Sequence, residues 1–119
     1  MTDKKSDKDV IKNSGNIGHF PDSPISHEDE HRLESFGGHE MTHGRATLYH
    51  WDKDASGNPV FEIYRGAKND ELVTRIGRHR SEHEFFAEDS QGNEIVVGTL
   101  DHVMGVLDKK FAEEHGETY

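Results

Sequence analysis

His39, Glu40 and His43, in the segment GGHEMTHG, spell HExxH. On a helix this spacing stacks two imidazoles one turn apart on one face, where they can share a zinc ion, and leaves the glutamate beside them as a general base. The segment HEDEH, His27 to His31, repeats the pattern twelve positions earlier, and residues 27 to 50 hold five His and four Glu. The surroundings argue against a hydrolase. Gly37 and Gly38 precede His39 and Gly44 follows His43, which predicts a broken helix around the motif. The extended metalloprotease pattern would also need a glycine where Ala46 stands and a third histidine where Tyr49 stands. Solvated histidines are the expectation, with no metal ligand assigned and no cofactor expected. A small zinc metallohydrolase using residues 39–43 is the enzymatic alternative.

The remaining candidates are weaker. His79 and His83 are four apart, but RHRSEHEF reads as strand or loop, where that spacing does not bring two rings together. Arg65, Lys68, Arg75, Arg78 and Arg80 form the only strongly positive block, and Tyr49, Trp51 and Tyr64 could offer stacking surfaces on the same sheet. Single-stranded nucleic-acid binding through residues 65–80 is therefore a further alternative. It is disfavoured by a formal charge of −10, because phosphate neutralisation requires a basic face. Asp52 and Asp54 resemble part of a calcium loop, but Ile63 stands where the bidentate Glu belongs, so this stretch is a turn. With no Cys there is no disulfide, thiolate site or Cys nucleophile. Neither a phosphate-binding GxxxxGK[ST] loop nor a GxSxG elbow occurs.

These residues must be positioned by a small chain. Of 119 residues only 30% are hydrophobic, and Leu, Ile, Val and Phe are unevenly spread: about 16% of residues 1–44 and about 24% of residues 45–115. Within the second part, ATLYHW and VFEIYR flank the turn formers DKDASGNP and so predict a hairpin. GAKND leads into ELVTRIG, HEFFAED follows, and SQGN feeds EIVVG, all with strand character. Leu100, Val103, Met104, Leu107 and Phe111 then change to helical spacing, with Thr99 or Asp101 near the start and Gly116 beyond the end. The expected fold class is α+β: a small antiparallel sheet of four to five strands with a C-terminal amphipathic helix, preceded by a long irregular N-terminal arm. The expected division is an irregular or partly helical arm, 1–44, and a small α+β domain, 45–119.

Within the arm, Ser23 as N-cap and Pro24 at the first position predict a helix through about Phe36, stopped by Gly37 and Gly38. Its apolar residues are few, so it must order against its own domain or a partner. Ile17, Phe20, Ile25, Leu33 and Phe36 are the candidate partner-binding residues. Removing residues 1–44 is expected to leave the domain folded and to weaken partner binding. No segment approaches the roughly 20 apolar residues of a membrane helix, and the N-terminus lacks the apolar core of a secretory signal, so a cytoplasmic protein without a membrane span is expected. Its excess of acidic side chains suits a larger protein or complex with a basic surface, and the open edges of such a sheet allow homo-oligomers. The expected function is a non-catalytic acidic protein-binding module, an accessory or regulatory subunit or an inhibitor of a larger assembly.

Overall fold

The computed structural model of the chain describes residues 24–79 and 84–116. Helix α1 (His27–Thr42) is followed by strands β1 (Leu48–Lys53), β2 (Pro59–Arg65), β3 (Glu71–Arg78), β4 (Phe85–Glu88) and β5 (Glu94–Gly98), and then by helix α2 (Leu100–Glu114). The strands form one antiparallel meander in the order β1-β2-β3-β4-β5. The expected α+β architecture, with its sheet of up to five strands and its C-terminal helix, is the one observed. Among the described residues no helix is long and apolar enough to cross a membrane.

Two of the hairpins close on the same five-residue device. Asp54-Ala-Ser-Gly-Asn58 and Asp89-Ser-Gln-Gly-Asn93 each begin with an aspartate whose Oδ1 accepts from the backbone N–H groups two and four residues on, at 2.8–2.9 Å. Each has its glycine at φ 84°, a conformation side chains rarely adopt. These bonds to the charged carboxylate hold Asp89 below the usual carboxylate range, the Asn93 amide contributing most.

Period-two alternation sends Tyr49 and Trp51, Phe61 and Ile63, Thr74 and Ile76, and Phe85 and Ala87 to one face of the sheet. Both helices pack there. Leu33 and Phe36 of α1 and Leu100, Val103, Leu107 and Phe111 of α2 join Ile25, Ala46 and the strand residues in a single core. Each helix opens on a side-chain cap, Ser26 Oγ accepting from the Asp29 N–H and Thr99 Oγ from the His102 N–H. Arg32 of α1 pairs with Asp101 of α2, and the Trp51 indole N–H donates to Glu34 at 2.9 Å.

Three expectations about the arm need correction. The helix is capped by Ser26 instead of Ser23, and it runs through Gly37 and Gly38 to Thr42. The reason is packing: a Cβ on Gly37 would lie 2.7 Å from Tyr49 Cγ and 2.9 Å from Phe61 Cζ, so glycine here admits the rings of the sheet instead of ending the helix. Ile25 and Leu33 are 0% exposed and Phe36 8%, so from residue 25 onward the arm supplies part of the domain's core. Removing residues 1–44 would therefore strip the sheet of α1. The core crosses the composition boundary at Gly44 because a 16-residue amphipathic helix needs only a few large side chains to cover one end of a sheet.

Candidate functional site

Two places gather polar side chains. The first is the HExxH segment, which is helical after all. Its histidines come together, the rings of His39 and His43 lying 4.2 Å apart between centroids, with His43 Nδ1 2.9 Å from the His39 carbonyl. Its glutamate is turned inward. Glu40 is 0% exposed, and its Oε1 lies 3.2 Å from Nε of Arg45, whose side chain is only 2% exposed. Arg45 reaches on to Asp108 of α2 at 2.9 Å, and His39 Nε2 stands 3.2 Å from the same carboxylate. His39, Glu40 and Asp108 are close enough to hold a cation, but the guanidinium of Arg45 already occupies that role. Glu40 is thus engaged as a counter-ion to Arg45.

The second place lies on the opposite face of the sheet, which no helix among the described residues covers. Alternation brings His50, Glu62 and Arg75 into one row across β1, β2 and β3, with Glu88 of β4 next in line. Glu62 is the centre. His50 Nε2 lies 2.8 Å from its Oε1, the Tyr64 hydroxyl donates to the same oxygen at 2.8 Å, and Arg75 Nε donates to Oε2 at 2.6 Å. Although the face is open, Glu62 is 1% exposed and Val60 3%, because longer neighbours lean over β2. Beside the row lies a hollow of about 340 Å³ whose lining includes Asp52, Asp54, Val60, Glu62, Phe86 and Glu88 together with the cations Lys53 and Arg75. Phe86 can lie flat here because β3 offers Gly77 beneath it, and the ring is backed by His79 at 4.5 Å.

Burial alone would raise the Glu62 pKa, but the hydrogen bonds from Arg75, His50 and Tyr64 outweigh it and leave the carboxyl below its ordinary value of 4.5. Tyr64 is pushed up by burial and by its bond to that carboxylate. Arg75 is pushed up chiefly by its hydrogen bond to Glu62. A depressed carboxyl pKa stabilises the fold above the unfolded-state value, and that contribution disappears as pH falls through the folded-state value. The stability difference between wild type and Glu62→Gln is therefore expected to be constant above about pH 5.5 and to shrink below pH 4.5. Urea melts at several pH values check this, and a difference that grows on acidification would contradict it.

The remaining sequence-derived candidates are dispersed. Ile17, Phe20, Arg80 and His83 lie outside the described residues. Ile25 and Leu33 are wholly buried in the core and Phe36 nearly so, at 8% exposed. The basic block splits three ways: Arg65 pairs with Glu114, Arg75 with Glu62, and Arg78 donates to the Pro24 carbonyl while its guanidinium lies over Phe85. Tyr49 and Trp51 share the sheet with Tyr64 but pack on the core face, whereas Tyr64 binds Glu62 on the other. Among the described residues, Arg65, Arg75 and Arg78 thus form no shared basic stripe, and the three rings share no stacking face. The Glu62 row was missed as a site, and its signal was a glutamate inside the otherwise apolar central run VFEIY. The site and fold together define a two-layer α+β protein with one polar-centred sheet face that no helix among the described residues covers. Compared with protein-family models, curated proteins and solved structures, the chain matches none.

Proposed function

We propose that this protein is a non-catalytic acidic binding module, an accessory or regulatory subunit or an inhibitor, that docks a basic surface of a larger protein against the open face of its sheet. The observation that supports this reading is the face itself. Both helices lie on the other side, and the exposed side carries a polar row whose rotamers are already fixed by mutual hydrogen bonds. A face ordered before the partner arrives loses little conformational entropy on docking. The formal charge of −10 favours a basic partner by long-range attraction. Ile17 and Phe20, in the segment before Pro24, extend the docking surface on this reading, ordering on the partner.

Titration of the full chain with poly-lysine at low salt, followed by amide NMR, tests it. Shifts concentrated on His50, Glu62, Tyr64, Arg75, Phe86 and Glu88, fading as salt is raised, are expected. No binding at low salt, or shifts confined to the helical layer, would overturn the reading. Removing residues 1–23 is expected to leave the melting temperature nearly unchanged and to weaken capture of the native partner. Unchanged capture would remove the arm from the proposal.

A further inference from the structure

The hollow on the open face has a more particular chemistry than general acidity. Its floor is apolar: Val60 is almost fully buried, and Phe86 leans across Gly77 toward it, fixed from behind by His79. Its rims are anionic and stand opposite one another, with Asp52 and Asp54 on β1 and the first hairpin turn and Glu88 on β4. The Asp54 carboxylate is held in place through Oδ1 by the turn amides of Ser56 and Asn58. Counting Glu62, the lining carries four carboxylates, Asp52, Asp54, Glu62 and Glu88, against two cations, Lys53 and Arg75, and Arg75 is paired with Glu62. An apolar, partly aromatic floor between two carboxylate rims suits a group with a hydrocarbon stem and a cationic head. Resting on the docking function just argued, we propose that this hollow receives a single lysine or arginine side chain of the basic partner, its stem on Val60 and Phe86 and its head between Glu88 and the aspartates.

The test uses the full chain and fluorescein-labelled Gly-Ser peptides carrying four lysines, four arginines or four acetyl-lysines, with affinity read by anisotropy at low salt. The lysine or arginine peptide is expected to bind and the acetyl-lysine peptide to fail. Glu88→Gln and Asp52→Asn are each expected to weaken binding about fivefold, while Glu113→Gln, which removes the same charge from α2, changes it less than twofold. Both hollow variants replace surface carboxylates by their amides, so an unchanged melting temperature is expected and separates lost binding from lost folding. Equal losses at Glu113 and Glu88 would show that attraction is diffuse, overturning the subsite and leaving the docking function standing. Failure of every cationic peptide to bind would overturn both.

Discussion

Gly37→Ala is expected to destabilise the protein by about 1–3 kcal/mol, whereas Gly38→Ala is expected to stabilise it by about 0.5–1 kcal/mol. On helix propensity alone the two changes are equivalent, since alanine is favoured over glycine in any helix interior. They differ in what the new methyl group meets. At Gly38 there is open space within 4 Å. At Gly37 the methyl would press on the Tyr49 ring at 2.7–2.8 Å and on Phe61 at 2.9 Å, and Phe61 is fully buried in β2. Neither ring can swing away without opening the core, so α1 must lift from the sheet. Denaturant unfolding of the two variants measures the contrast. Stabilisation by both would mean that α1 does not pack on β1 and β2 as described.

Glu40→Ala is expected to cost about 3 kcal/mol, because it leaves the buried guanidinium of Arg45 without its one fully buried counter-ion. Asp108 remains within reach of Arg45, which keeps the cost at the lower end for a broken buried pair. Replacing both partners by methionine is expected to recover most of the loss, since the desolvation of the two charges disappears along with their attraction. The same experiment separates the structural from the catalytic reading of HExxH. A general base could become Gln with folding intact and activity gone, whereas a structural counter-ion loses stability with either substitution, more for alanine than for glutamine. Thermal melts of the single and double variants decide it, and a Glu40→Ala protein as stable as wild type would refute the structural role.

Much of the sheet was legible in the chain. The hairpin from ATLYHW into VFEIYR and the turn at SQGN are local events, fixed by alternation and by turn residues whose side chains bond to their own backbone. Helix α2 was legible for the same reason, its apolar spacing from Leu100 to Phe111 and the Thr99 cap lying within one segment. The arm was misread where long-range contact overrode local preference. Two adjacent glycines ordinarily end a helix, and nothing in SFGGHEMT reveals that one of them faces two aromatic rings twelve or more residues away.

The site divides the same way. Composition determined the excess of negative charge, the absence of cysteine chemistry and the two-part distribution of apolar residues, because these depend only on which residues are present. Alternation alone placed Glu62 and Tyr64 on one side of β2. Only the tertiary structure decided that both helices cover the other side, that His50 and Arg75 arrive opposite Glu62 from neighbouring strands, and that Glu40 turns inward to Arg45. Those outcomes depend on register and on the packing of elements far apart in the chain. A shift of one residue along a strand would send that strand's member of the row to the core face, and no residue type announces its register by itself.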